Sequence, residues 1–351
     1  MKDTDVAKEK MTIYDVAKET GCSPATVSRA LNHPDLVRPD TLEAIRRVMN
    51  SGDFRKRKYR LTEAESLKAP TGCFLLSIPS PGNPFYGQII EGAASAAAAH
   101  GCTLLTDYSM YAEHAAAGIS LPAGLSRFDG MILMTGLESR PLLRLAEHFP
   151  VIQCSEYNEE IDTVSSVSID DAASMRKAAD HLIASGHRKL AYISCPAQMR
   201  YAGRRLRGFR AACEAADLEV PDSRIIILPQ TGFAVAHSAA LRLLSASPRP
   251  DAVVCSSDIY AIACVKAAYE LGIQIPGDLS VIGFDDIPQA SMIQLALTTI
   301  RQPRYQLGYT AFETLWQEVQ DPARRKQKVL LPTELIIRET TGMRQPSEHS
   351  I

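Results

Sequence analysis

The residues best suited to bind a partner molecule lie early in the chain, at positions 23–29. There, one arginine is surrounded by small side chains and by side chains with hydroxyl groups. The guanidinium group of Arg29 can donate two hydrogen bonds to a guanine edge, and Ala25 can offer a methyl contact to thymine. Neighbouring hydroxyl groups can bind phosphate oxygens, and they belong to Ser23, Thr26 and Ser28. Pro24 is a poor base reader, so the pattern predicts DNA recognition through Arg29, methyl contacts and duplex shape.

The elements that would position these residues are three short helices in residues 11–53. Gly21 is expected to end the first helix, because glycine adopts the left-handed conformation without strain. Ser23 is expected to cap the second helix, with Pro24 at its first position, and Pro39 to begin the third. Two helices joined by a tight turn form a helix-turn-helix, whose second helix enters the major groove. On spacing alone, a helical hairpin that contacts no DNA remains the alternative.

A basic linker is predicted over residues 54–71. Positions 55–60 hold five cationic residues, and such a run is either a solvated linker or a sequence-blind contact to phosphates. Next to the head we favour the phosphate contact. Residues 61–68 are expected to form a short helix capped by Thr62. The predicted DNA contacts outside the second helix are Thr12, Tyr14, Asn32, Arg55 and Lys56.

Charge is unevenly distributed along the 351 residues, although the net charge is only −2. Residues 1–68 carry 14 Lys/Arg against 11 Asp/Glu, a net of +3, and the remainder carries 24 against 29, a net of −5. A basic head on an acidic body is expected when one end meets phosphate. The eight cysteines form no CxxC pair, which favours free thiols. Residues 1–10 have no apolar export signal, so we expect a cytoplasmic protein located with the nucleoid and not in a membrane.

Enzyme motifs are absent from the sequence. It contains no G-x-x-x-x-G-K-[ST], no G-x-S-x-G and no metal-spaced histidine cluster, so neither catalysis nor a cofactor is predicted. The adjacent carboxylates Asp170–Asp171 and Asp285–Asp286 are expected to point different ways, and therefore not to form an acid/base pair.

The body, residues 72–342, alternates short apolar strands with helices, which predicts parallel sheets wrapped on both faces. The pattern occurs twice, and two lobes are expected. The first takes residues 72–169 and 300–328, and the second takes residues 170–299 and 329–342. Residues 1–10 are expected to be a disordered lead and residues 343–351 a tail. The tail lacks leucine heptads, so a tetramerising coiled coil is not expected.

Polar and aromatic residues recur where the predicted strands end. Ligands of open α/β sheets bind beyond the carboxyl ends of the strands, so these residues are predicted to bind a small molecule between the lobes. Aromatic faces, carboxylates and an arginine together suit a polyhydroxylated ring. The predicted contacts are Phe85, Tyr86, Tyr108, Glu156, Asp170, Arg200, Arg205, Phe233, Asp258 and Asp285.

One stretch of the head, YDVAKETGCSPATVSRALN, closely resembles the LacI/GalR family of bacterial transcriptional regulators, and the resemblance covers nearly the whole chain. It implies a helix-turn-helix head, a two-lobed core like that of periplasmic binding proteins, and a homodimer on an operator whose affinity responds to an effector between the lobes. Four short motifs match segments that contact the effector in the family. They are RRLRGF with Arg205, GFDD with Asp285, TGF with Phe233, and NPFY with Phe85 and Tyr86. A solute-binding protein without a DNA role is the alternative, although it would need an export signal.

The resemblance also implies that the linker folds as a hinge helix whose leucine enters the minor groove, and Leu67 in AESLK is the matching residue. The sequence departs from the family here, because Phe54-Arg55-Lys56-Arg57 replaces the usual Tyr-x-Pro-Asn. Three further stretches resemble a nucleoside-responsive member of the family: CSEYNEEIDTVSSVSIDD, CPAQMRYAGRRLRGF and LTTIRQPRYQLG. A nucleoside effector is implied, and a sugar or sugar acid is equally admissible.

Overall fold

The computed structural model describes residues 13–23, 26, 27, 30, 37–51, 71–108 and 128–344. The chain divides into two compact units, Met1–Lys68 and Ala69–Ile351. In the described parts of both units, no helix is long and apolar enough to span a membrane. All eight cysteines fall within the described residues and are free thiols, and five of them are buried.

The first helix of the head ends, and the third begins, where the sequence predicts. Helix α1 spans Ile13–Thr20 and helix α2 spans Pro39–Ser51. Gly21 has a φ of 65°, and the amide of Cys22 donates to the carbonyl of Ala17 (3.1 Å), which satisfies an otherwise unpaired carbonyl in the last turn. The predicted stop at Gly21 and start at Pro39 are therefore confirmed.

A small apolar core holds the head together. Its buried members are Val16, Ala17, Val27, Ala30 and Ile45. Val27 and Ile45 point into this core, and Val48 packs against it. The side chain of Ser23 accepts a hydrogen bond from the amide of Thr26 (3.1 Å), so its predicted capping role is confirmed as well.

The first lobe of the body is a wrapped parallel sheet. Its strands are β1 (Cys73–Ser77), β2 (Thr103–Asp107), β3 (Gly130–Leu133), β4 (Val151–Cys154), β5 (Ser165–Ile169) and β11 (Lys328–Leu331). They lie in the order β11-β5-β4-β3-β1-β2, and every pairing is parallel. Its helices are α3 (Phe85–Ala99), α4 (Ser139–Ala146) and α9 (Arg304–Gln320). The central strands are buried along their length, as expected for a sheet covered on both faces.

The second lobe repeats this architecture. Its strands are β6 (Leu190–Ser194), β7 (Ile225–Ile227), β8 (Ala252–Cys255), β9 (Ser280–Asp285), β10 (Thr298–Arg301) and β12 (Glu334–Ile336). The order is β12-β10-β9-β8-β6-β7, with β12 antiparallel to β10 and the other pairings parallel. Its helices are α5 (Asp171–Ala184), α6 (Arg200–Ala215), α7 (Phe233–Ser245) and α8 (Asp258–Glu270).

The chain passes between the lobes three times. The first crossing is at residue 170, between β5 and α5. The second lies at residues 302 and 303, and the third at residues 332 and 333, each a few residues later than the predicted 299/300 and 328/329 boundaries. The difference arises because β10 completes the second sheet before the chain leaves it, whereas β11 still pairs with β5 of the first sheet. A sequence can indicate that a segment forms a strand, but it does not indicate which other strand that segment pairs with.

Helices α3 and α9 of the first lobe meet at backbone contact. A Cβ on Gly92 would lie 2.0 Å from the carbonyl oxygen of Tyr305, and one on Gly308 would lie 1.9 Å from that of Ile89. Only glycine permits this approach, since backbone atoms on both sides cannot give way. No helix was predicted from the sequence over the residues of α9 or over those of α4.

Candidate ligand site between the two lobes

The centre of the candidate site is the guanidinium group of Arg205, on the second turn of α6. The residue is 4% exposed. Its Nε donates to Asp171 Oδ1 (2.8 Å), its Nη1 donates to the carbonyl of Ser256 (2.6 Å), and Asp285 Oδ1 lies 3.7 Å from the same nitrogen. The ring of Phe284 lies beneath the guanidinium carbon, 3.7 Å away at the centroid. Burial alone would lower the pKa of Arg205, but Asp171 and Asp285 outweigh it and raise the pKa.

Asp171 joins two arginines in one buried cluster. Its Oδ2 accepts a hydrogen bond from Nε of Arg204 (3.0 Å), while its Oδ1 is occupied by Arg205. Arg204 also reaches the first lobe, where its Nη1 lies 3.4 Å from both the carbonyl of Tyr157 and Glu159 Oε1. Its Nη2 is buried without a hydrogen-bond partner. Within the described part of the chain, this guanidinium nitrogen is therefore a donor that a ligand can use.

Asp285 is held in a backbone conformation that orients its carboxylate. Its φ is 121°, a region that residues with a side chain rarely adopt. Ser257 Oγ donates to its Oδ2 (2.9 Å), and Gln302 Nε2 donates to its Oδ1 (2.8 Å). Burial raises the pKa of Asp285, and Arg205 opposes that rise. The amide oxygen of Gln302 is buried without a partner and is available as an acceptor.

Three tyrosines from three different helices surround this cluster. Tyr86 comes from α3 of the first lobe, and Tyr201 and Tyr260 come from α6 and α8 of the second. Burial is the largest cause of a raised pKa in each, and the charges of Asp285 and Glu156 raise the pKa of Tyr86 further. The phenols therefore remain protonated at neutral pH, when each can donate a hydrogen bond to a ligand.

Glu156 connects the lobes directly. It follows β4 of the first lobe, and its Oε1 and Oε2 accept hydrogen bonds from the amides of Arg200 (2.8 Å) and Tyr201 (3.4 Å) at the start of α6. A carboxylate is favoured there by the partial positive charge of a helix N-terminus. Burial nevertheless raises the pKa of Glu156 to about 7, against the lowering effect of Arg204 and the two amides. Arg200 adds an ion pair to Glu138 of the first lobe (3.2 Å).

The remaining predicted contacts are placed differently. Phe85 is buried and meets Tyr86 edge to face (5.4 Å), so it supports the site from behind. Asp170 caps α5 by accepting from the amide of Ala173 (2.9 Å). Asp258 is fully buried, and both of its oxygens are occupied, by the Ile287 amide and the Thr299 hydroxyl. The last two predicted contacts have exposed side chains, and they are Tyr108 and Phe233.

Several residues of the cluster were not among the sequence predictions: Asp171, Tyr201, Arg204, Tyr260 and Gln302. Gln302 directly follows β10. The rule that ligand contacts lie just beyond the carboxyl ends of strands, called the strand-end rule below, would therefore have predicted it if applied to that strand. Nothing in the sequence distinguished Asp171 from Asp170, which directly follows the strand and was therefore the predicted contact. In the structure the two carboxylates have different partners, the Ala173 amide for Asp170 and Arg205 for Asp171. The described residues hold no group of three or more His, Cys, Asp or Glu arranged for a metal ion.

Most of the predicted DNA contacts lie outside the described residues. Ser23 and Thr26 have described side chains, and their hydroxyls lie 2.9 Å apart. Tyr14 is described only as part of α1. The contacts that lie outside the described residues are Thr12, Pro24, Ala25, Ser28, Arg29, Asn32, Arg55, Lys56 and Leu67.

Comparison with known proteins links both units to gene regulators. Residues 12–56 match the family described as bacterial regulatory proteins, lacI family, and residues 179–341 match the periplasmic binding protein-like domain. The HTH-type transcriptional regulator DegA of Bacillus subtilis is 32% identical over 343 residues, covering 95% of this chain and 98% of DegA. The ribose operon repressor of Halalkalibacterium halodurans is 31% identical, covering 97% and 99%.

A solved structure resembles this chain over both units. The transcriptional regulator CelR, in complex with cellobiose, superposes with a TM-score of 0.69 at 26% identity and covers 94% of this chain and 100% of its own. The two-lobed core and the N-terminal helix-turn-helix predicted from the sequence are thereby confirmed.

Proposed function

The chain belongs to the LacI family of bacterial regulatory proteins, and from that premise we propose that it is a repressor whose affinity for operator DNA is set by a small molecule bound between its lobes. The relatives it resembles are named as a transcriptional regulator and an operon repressor, which supports a regulatory role for this chain rather than a catalytic one. The proposal assigns the head to operator DNA, the inter-lobe cluster to the effector, and the working unit to a homodimer. Two heads on two half-sites of one duplex require two-fold symmetry.

The observation that carries the proposal is that one buried polar cluster receives side chains from both lobes. Tyr86 and Glu156 come from the first lobe, and Arg205 and Asp285 come from the second. A ligand that replaces part of this network changes the free energy of one lobe arrangement relative to another. Coupling of this kind between two sites is typically worth about 1–3 kcal/mol.

The chemistry of the cluster favours a neutral, hydroxyl-bearing ligand. Among the described residues, phenols and the unpaired Nη2 of Arg204 supply donors, and the Gln302 amide oxygen and the carboxylates supply acceptors. Resemblance of three stretches to the cytidine repressor supports a nucleoside. Two relatives, a ribose operon repressor and the regulator CelR in complex with cellobiose, support a sugar.

For the head we propose the major-groove contacts of residues 23–32, with Arg29 as the base reader, phosphate contacts from Arg55 and Lys56, and insertion of Leu67 into the minor groove. The Ser23 hydroxyl accepts a hydrogen bond from the Thr26 amide, and the hydroxyls of Ser23 and Thr26 bond each other, so one of the two O–H donors is left for a phosphate oxygen. Loss of Arg29 should cost about 1–3 kcal/mol and relax specificity at one base pair.

Fluorescence anisotropy with the protein's own promoter fragment tests the proposal. The full chain should bind, a chain lacking residues 1–71 should not, and one of a panel of nucleosides and sugars should change the affinity by about fivefold or more. Asp285→Asn should abolish the ligand response without removing DNA binding. Arg176→Gln, an exposed substitution on α5, is the matched control. Equal DNA affinity of the shortened and full chains, or no response to any ligand, would contradict the proposal.

A further inference from the structure

A second cavity lies beside the inter-lobe cluster, at the second crossing of the chain. Its volume is about 450 Å³, within the range of small-molecule sites. Gln88 of α3 and Arg304 of α9 line it from the first lobe, and Asp286 and Ser291 line it from the second. A ligand held there would contact both lobes.

The wall of this cavity is cationic. Of the residues that the structure describes, it contains Arg301, Arg304 and Arg338 against a single carboxylate, Asp286, which leaves a net of +2 from three positive charges and one negative. Asp286 pairs with Arg301 Nε and Arg338 Nη2, both at 2.7 Å, and these hydrogen bonds lower its pKa despite its burial. Glu334, outside the wall, pairs with Arg301 as well (3.3 Å). Arg301 and Arg338 are therefore largely neutralised by the protein.

Arg304 is the exception. It is 4% exposed, yet its guanidinium forms an ion pair with no carboxylate in the described part of the chain. Nη2 donates to the carbonyl of Asp286 (2.6 Å) and Nη1 to that of Pro84 (3.4 Å), while Nε is buried without a hydrogen-bond partner. Burial lowers its pKa, with the more distant Asp285 and Asp286 opposing. A buried cation without a counter-charge is costly.

We propose that this cavity binds a small oxyanion, either a phosphoryl group or a polycarboxylate, with Arg304 as its main charge partner and Arg301 as a second contact. The ligand would supply the counter-charge that Arg304 lacks. Guanidinium groups suit both anions, because their planar set of donors matches two oxygens at once. The site adjoins the proposed effector cluster, with which it shares Gln302. It goes beyond the proposed function, since it gives the lobe arrangement a second input that is anionic, whereas the ligand proposed for the cluster is neutral.

Thermal unfolding of the full chain tests this site without DNA. Inorganic phosphate and citrate are the two probes, each titrated at constant ionic strength against chloride. We expect at least one of them to raise the unfolding midpoint saturably, by about 2 °C or more. A response to phosphate alone identifies a phosphoryl ligand, and a response to citrate alone identifies a polycarboxylate.

Two variants and a control decide whether Arg304 is responsible. Arg304→Met removes the unpaired charge, and Arg301→Gln removes a half-exposed contact while Arg338 still pairs with Asp286. The rise should be lost in both variants and kept in Arg176→Gln. No rise with either probe, or a rise that survives in either cavity variant, would overturn the proposal. Because no step involves DNA or an inter-lobe effector, this result is independent of the repressor function.

Discussion

Arg205 and Arg304 are both 4% exposed, but the protein treats their charges in opposite ways. Arg205 faces Asp171 and Asp285, and these carboxylates raise its pKa. Among the described residues, Arg304 has only carbonyl groups as hydrogen-bond partners, and burial lowers its pKa. The burial of an arginine therefore does not by itself indicate the role of its charge. The number of counter-charges decides whether a buried arginine supports the fold or awaits a ligand.

The largest expected effect comes from Arg205→Met, which leaves the buried carboxylates of Asp171 and Asp285 without their cation. Removing one partner of a buried pair typically costs about 3–5 kcal/mol of unfolding free energy. Urea denaturation of the full chain measures it. Arg207→Met, on the same helix with a side chain 64% exposed, is the matched control and should change little. Equal losses in the two variants would show that Arg205 is not the charge centre.

A pH-dependent effect is expected from Glu156, whose pKa of about 7 lies above its usual 4.5. Between these values the folded state binds more protons than the unfolded state, so stability decreases as pH rises from about 4.5 to 7. The decrease is at most about 3 kcal/mol. Glu156→Gln should remove this part of the pH dependence, whereas Glu138→Gln, at an exposed carboxylate, should not. Parallel curves for the native chain and Glu156→Gln would refute the assignment.

A smaller effect is expected from Arg304→Met. The substitution loses two hydrogen bonds to carbonyl groups but also removes an uncompensated charge, so the terms offset to within about 1 kcal/mol. Measured beside Arg205→Met under the same conditions, the variant should retain most of the stability that the other loses. A destabilisation as large as that of Arg205→Met would mean that the two arginines are equally well compensated.

The smallest effect should follow from Arg200→Gln, which breaks the ion pair to Glu138. The Arg200 side chain is 24% exposed and that of Glu138 is 84% exposed, so solvent screens the pair, and the loss should be about 0.5 kcal/mol or less. The Arg200 amide still donates to Glu156, because the backbone is unchanged. A loss above about 1 kcal/mol, measured by urea denaturation, would show that side-chain pairing also holds the lobes together.

Local rules predicted much of the fold. Gly21, Ser23 and Pro39 mark helix boundaries that depend only on neighbouring residues, and the buried strands follow from runs of apolar residues. From their positions beyond the carboxyl ends of strands, Glu156, Arg205 and Asp285 were predicted to lie near one another. What the strand-end rule could not supply is the partner of each group, because that depends on which strands pair.

The features that the sequence did not reveal all depend on such distant partners. Asp171 gains its role from two arginines more than thirty residues away in the chain. Strand β11 joins β5 across more than one hundred and fifty residues, which shifts the third crossing. Asp258 has the polarity and position of a ligand contact, yet Thr299 and Ile287 use both of its oxygens.

The close approach of α3 and α9 at Gly92 and Gly308 constrains how the first lobe can respond to anything bound near it. Helix α3 begins with Phe85 and Tyr86, and α9 begins two residues after Gln302. Because backbone meets backbone at both glycines, we expect a displacement of Tyr86 to be passed to the start of α9, beside the second crossing between the lobes. A methyl group added at either glycine would force the two helices apart.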